Sequence, residues 1–248
     1  MESTNPQAKQ TYRKHFIPLE SDPEVFTELI HKLGVPKTFG FQDVLSIHDP
    51  DLLAFIPRPV YALILVFPGT ETYDARVAEE DREREEYDVA GEHEDVVFFK
   101  QTINNACGLY AILHGVCNGE LRSSIATESL LESLLEKCTP LKSDERALVL
   151  EDSQELEQVY ASVASKGDTE APTDPQAEVD YHYICFVKSQ KSGHLFQMDG
   201  DRKRPVDLAQ LADEDDVLSE KCLEVIRRWI EGEKNENIGF NLMALVAQ

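Results

Sequence analysis

Residues 100–119 read KQTINNACGLYAILHGVCNG, and the pattern changes partway along. Just before them, Val96 to Lys100 is a short apolar run that suits a strand. Cys107 to Cys117 is apolar almost all round, which predicts a buried helix. Asn104 and Asn105 are good N-caps, so the helix is expected to begin at or just before Cys107. The first turn of a helix carries unpaired N–H groups and the positive end of the macrodipole. A thiol placed there ionises more easily, and the thiolate is the reactive form. Ala106 and Gly108 are small and would leave room for a substrate backbone beside Cys107. Cys117 lacks the N-terminal field and reads as packing. Gln101 lies six residues before Cys107. Its side-chain amide and the Cys107 backbone N–H are candidate donors to an oxyanion formed at the thiol.

A nucleophilic cysteine needs a base, and the base needs a group that orients it. Of the seven histidines, His114 lies on the nucleophile's own helix, about 10 Å further along its axis and out of reach. His15, His31, His48 and His93 read as surface residues. Tyr181 to Lys188 and His194 to Asp199 read as two strands. A hairpin turning at Ser189–Ser192 would set His182 directly opposite Asp199, with their Cβ atoms about 5 Å apart on one face. His194 and Cys185 then point to the other face.

Elsewhere, Leu19 to Gly34 reads as a helix capped by Asp22, with Pro23 in the first position and Gly34 closing it. Phe39 to Leu45 and Val60 to Phe67 read as strands, and Thr127 to Cys138, Glu151 to Ser165 and Ser219 to Glu231 as helices. Glu71 to Asp95 is dominated by acids and arginines, which predicts an exposed helix or an excursion with a solvated face. Lys166 to Asp180 is a long polar segment with two prolines, the kind that often forms a lid or binding loop. Ile238 to Val246 reads as the last strand. Strands and helices mix without strict βαβ alternation, so the expected class is α+β with a largely antiparallel sheet flanked by helices.

The 248 residues carry a formal net charge of -23, and the pI is about 4.6. Such a field repels nucleic acid and anionic membranes and favours a basic partner. No apolar run approaches the ~20 residues that span a bilayer, and the N-terminus has no secretory h-region. The expected location is cytoplasmic, with the nucleus a second compartment. Five cysteines, widely spaced and without a CxxC pair, should be free thiols. Nothing has the spacing of a zinc site, and no metal or cofactor is expected.

QTINNACG, followed by YHYICF and GHLFQMDG, resembles the ubiquitin carboxyl-terminal hydrolases, a papain-like family of deubiquitinating cysteine peptidases. The resemblance extends to FIPLESDPEVFTELIHKLG, to DPDLLAFIPRPVYALILVFP and to the closing IGFNLMALVA. It implies one catalytic domain over residues 1–248, with a papain-like fold and a knotted backbone, in a short form without the C-terminal extension of larger members. It also implies that Gln101 helps form the oxyanion hole. Cys107 would be the nucleophile, His182 the general base and acid, and Asp199 its orienter. The implied reaction cleaves an amide, ester or thioester at the last glycine of ubiquitin. Residues 166–180 take the place of the family's crossover loop, which restricts leaving groups to small or flexible ones. The implied partner is ubiquitin or a related ubiquitin-like protein, met by a monomer. Asp43 and the acids of the crossover loop are candidates for contact with the basic ubiquitin tail. A ubiquitin-binding module without catalysis remains the alternative from another class.

Overall fold

In a computed structural model of the protein, residues 12–168, 174, 176, 179, 181–232 and 239–248 are described. The sheet has six strands, all antiparallel to their neighbours: β2 (Phe39–Asp43), β8 (Asn241–Ala247), β3 (Val60–Pro68), β5 (Tyr181–Lys188), β6 (His194–Met198) and β7 (Val206–Gln210), in that spatial order. A separate parallel pair joins β1 (Lys14–His15) to β4 (Ile103–Asn104). Among the described residues, no helix is long and apolar enough to cross a membrane.

The central strands are apolar throughout because both faces of the sheet are covered. Ala62, Ile64 and Val66 of β3, with Tyr183, Cys185 and Val187 of β5, pack into one core. Helices α1 (Pro23–Leu33), α4 (Cys107–Val116), α5 (Leu130–Cys138) and α7 (Gln154–Ala164) contribute to that core. Leu63, Leu65 and Phe67, with Ile184 and Phe186, face a second core to which α8 (Glu220–Gly232) adds Cys222, Leu223 and Ile226. The period of two along a strand thus sorts alternate residues into two separate cores.

Local chemistry sets several boundaries as the sequence implies. Asp22 caps α1 by accepting from the Glu24 and Val25 amides, Pro23 opens it, and Gly34 closes it at φ 119°. The acid-rich segment begins as α3 (Glu71–Asp81), capped by Thr70, yet it is not simply a solvated face. Tyr73, Val77 and Asp81, spaced four apart, form a stripe turned toward the protein, and Tyr73 and Asp81 are buried.

Three expectations need correction here, and one helix was not expected. Residues 96–100 are extended but form no strand, because side chains take the place of a neighbouring strand. Asn118 brackets Val97, accepting from its N–H at 2.7 Å and donating to its C=O at 3.0 Å. The Phe99 N–H donates to His114 Nε2 at 3.0 Å. A helix absent from the sequence reading, α6 (Ser143–Asp152), precedes α7, and Ser153 ends one and caps the other. Asn104 and Asn105 do not cap α4: Asn104 bonds His15 at 3.0 Å, Asn105 takes the left-handed conformation at φ 59°, and Ala106 sits at the cap. The space left by Gly108 is taken by Leu19, 3.4 Å from where a Cβ would stand. Most of 166–180, and Ile238, lie outside the described residues.

Candidate active site

The site forms where β5 begins, β6 ends and α4 begins. Cys107 is the first residue of α4, and no side chain caps that helix. The amides of its first turn therefore keep their donor capacity and their positive field at the thiol. Cys107 is partly exposed, whereas Cys117, Cys138, Cys185 and Cys222 are buried. Burial pushes Cys138 and Cys222 up to about 11 and raises Cys117 and Cys185 further. A soft alkylating reagent at neutral pH should therefore label one thiol per chain, Cys107. Mass spectrometry of the digested adduct checks this, and comparable labelling at a second cysteine would contradict it.

His182 Nε2 bonds Asp199 Oδ1 at 2.9 Å. The Cys107 thiol is hydrogen-bonded to the same ring, and with Nε2 committed the nitrogen open to it is Nδ1. Burial alone would lower the proton affinity of His182, but the Asp199 carboxylate outweighs it and holds the imidazolium well above its ordinary range. Asp199 is also buried, yet His182 and its hydrogen bonds hold it below the usual carboxylate range. The pair is thus preset as imidazolium and carboxylate.

The hairpin register is two residues away from the expected one. The ladder runs from Lys188↔Leu195 to Cys185↔Met198 and stops there. Gly193, at φ 71°, lengthens the turn. A shift of two preserves the face, so His182 and Asp199 still meet, diagonally and beyond the last ladder pair. Cys185 lies in the core as expected. His194 bonds Asp207 at 2.7 Å, away from the site.

Gln101 is buried, and its backbone N–H donates to the Gly200 carbonyl at 2.7 Å, tying it to the turn that carries Asp199. A Cβ at Gly200 would stand 2.9 Å from the Gln101 Cβ, so only glycine allows this approach. Upstream, His114 is buried and held neutral at about 3 by desolvation. It stacks on Phe98 and accepts from Phe99, fixing the segment that leads to Gln101.

Two contributors were not read from the sequence. The Tyr73 hydroxyl donates to Asp199 Oδ2. Burial first, and the neighbouring carboxylate next, hold that phenol well above its usual range, so it remains a donor. Phe67 and Trp229 pack on its ring. The other is Arg202, whose Nη2 reaches Glu80 and Asp81 of α3, each at 2.7 Å, clamping the turn after Asp199. The stripe at 73, 77 and 81 was the available signal for α3, but its polar members look solvent-facing until their partners are known.

His182, Asp199 and Asp201 lie close enough together to suggest a cation site. The carboxylates flank opposite ring nitrogens, with Asp199 at Nε2 and Asp201 at Nδ1, so they do not converge on one lone pair.

Residues 16–231 match the family described as ubiquitin carboxyl-terminal hydrolase, family 1. A ubiquitin carboxyl-terminal hydrolase of Drosophila melanogaster is 36% identical over 232 residues, covering 93% of this chain and 96% of its own. Ubiquitin carboxyl-terminal hydrolase YUH1 of Saccharomyces cerevisiae is 37% identical over 188 residues, 74% of each chain. The solved UCH37 catalytic domain of Trichinella spiralis, bound to ubiquitin vinyl methyl ester, superposes with a TM-score of 0.69 over 98% of both chains. At 23% identity that likeness is one of fold.

Proposed function

The chain belongs to the ubiquitin carboxyl-terminal hydrolase family, and we propose that it is a thiol hydrolase releasing small or flexible groups from the C-terminal glycine of ubiquitin. The observation that carries this reading is the linked set Cys107–His182–Asp199, built around a partly exposed thiol at an uncapped helix start. In this reading Cys107 attacks the glycine carbonyl, and Gln101 with the first-turn amides of α4 receives the oxyanion. The His182 imidazolium gives its proton to the leaving group, and a thioester remains on Cys107. The ring then takes a proton from water, and hydrolysis frees ubiquitin. Asp199 and, behind it, Tyr73 hold the ring in place.

The remaining assignments belong to the same proposal. The catalytic domain spans 1–248, works as a monomer in cytoplasm and nucleus, and binds no nucleic acid. The chain path is knotted as in the family, and 166–180 forms the crossover loop. The charge of -23 favours encounter with the basic ubiquitin tail.

The test is release of aminocoumarin from the ubiquitin C-terminus. Wild type should release it and His182→Ala should not. Silence from wild type, with ubiquitin bound, would replace the hydrolase by a binding module. Activity in His194→Ala and Cys185→Ala should persist, since neither side chain faces His182.

A pH profile tests the electrostatics. Above the His182 pKa the ring loses the proton it must donate, so its raised pKa extends activity to alkaline pH. Asp199→Asn removes the carboxylate responsible, and the alkaline limb of kcat should move down by about 1–3 pH units. An unmoved limb would mean that Asp199 does not set His182.

A further inference from the structure

Two carboxylates flank His182, and the reaction above uses only one. Asp201 Oδ2 lies 3.6 Å from His182 Nδ1, on the side opposite Asp199. Asp201 lies in the turn that follows β6, where the Arg202 N–H donates to the Asp199 carbonyl at 3.1 Å. The Asp201 backbone N–H donates to Asp199 Oδ1 at 3.0 Å, so the catalytic carboxylate itself fixes where Asp201 begins. The Asp201 side chain is 18% exposed, against 1% for Asp199, and so borders the open side of the ring. The Tyr12 phenol is held above its usual range first by burial and then by the charges of Asp201 and Cys107.

Nδ1 is the nitrogen that faces the thiol, and so it carries the proton destined for the leaving group. When the tetrahedral intermediate collapses on an amide, the C–N bond breaks and its electron pair stays on nitrogen. That nitrogen takes the Nδ1 proton, the acyl carbon remains on Cys107 Sγ, and the oxyanion re-forms the carbonyl. For the transfer the nitrogen must come within about 3 Å of Nδ1, which brings it beside the Asp201 carboxylate. Where the proton moves ahead of C–N cleavage, the nitrogen is positively charged in the transition state before it leaves as a neutral amine, and an adjacent anion stabilises that charge. A thiol departs with negative charge developing on sulfur, which the same anion opposes.

We propose that Asp201 forms a leaving-group subsite that favours amines, whose nitrogen is cationic in the transition state, over thiols. The proposal rests on the thiol-hydrolase reading and names the class of bond that this site is built to cut.

The experiment compares two probes that differ at the leaving atom, ubiquitin C-terminal ethylamide and ubiquitin ethyl thioester. Both give the same acyl-enzyme, and kcat/KM reports the acylation step alone. Asp201→Asn keeps the shape and removes the charge. It should lower the ratio of amide to thioester kcat/KM by about tenfold, and Asp201→Glu should restore part of it. Thioester turnover by the variant shows that its site is folded. An equal fall on both probes would overturn the proposal and leave Asp201 as a residue that only positions the ring. No change on either probe would also overturn it. Wild type inert toward both would instead refute the hydrolase reading itself.

Discussion

Cys107→Ala should abolish turnover, lowering kcat on the order of 10⁴- to 10⁶-fold, while ubiquitin binding survives. The other four thiols are buried and cannot substitute. The substitution removes one sulfur from a partly exposed position at the start of α4 and leaves the helix unbroken, since alanine is a strong helix former. His182→Ala should cost nearly as much, because a thiol without its imidazolium has neither the charge partner nor the proton donor. The two residues act as a unit, so the double variant should be no slower than Cys107→Ala alone. Stopped-flow or long-time hydrolysis of the aminocoumarin substrate measures the rates, and calorimetry with ubiquitin measures binding. A double variant further impaired by the product of the single effects would mean that the two side chains work independently.

The largest stability effect is expected at Arg146, which is remote from the thiol. Arg146 is fully buried and Glu94 nearly so. Its Nη2 meets Glu94 Oε2 at 2.6 Å while Nη1 meets Oε1, a bidentate pair out of water. The same guanidinium donates to the carbonyls of Cys138 and Phe98, at 2.8 and 3.1 Å, and reaches Thr139 at 3.3 Å. It thereby joins α6 to the end of α5 and to the extended segment before Gln101. Arg146→Met would leave Glu94 charged and buried, and three carbonyls without this donor. The cost should be about 3–5 kcal/mol, read as a lower urea midpoint at unchanged slope. Adding Glu94→Leu should recover part of the loss, because the stranded charge, more than the lost attraction, dominates it. A single variant within about 0.5 kcal/mol of wild type, the range of ordinary surface changes, would show that the pair contributes little.

Arg146 also shows why parts of the fold were illegible in the chain. Helix α6 buries Ser143, Arg146, Ala147, Leu150 and Glu151, a good helical stripe. Two of its members are charged, and a charge is expected to face water unless a partner is present. Glu94 lies 52 residues away in sequence. The same reason hid Tyr73, whose acceptor is 126 residues on, and Arg202, whose acceptors lie on α3. Residues 96–100 looked like a strand because their side chains are apolar, and an apolar run does not say what satisfies its backbone.

The sequence by itself determined whatever rests on local chemistry. The cap and stop of α1, the doubly buried β3 and the apolar run of α4 follow from neighbours within a few residues, and the shared face of His182 and Asp199, 17 residues apart, from the period of two along a hairpin. The family followed from ordered motifs spread along the chain. Only the tertiary structure decided which polar groups are buried and by what they are satisfied. A hydrogen-bond partner that is distant in sequence leaves no periodicity, as Tyr73 behind Asp199 and Glu94 beside Arg146 show. Tertiary structure also decided the hairpin register, because shifting the pairing by two residues leaves the alternation of faces unchanged.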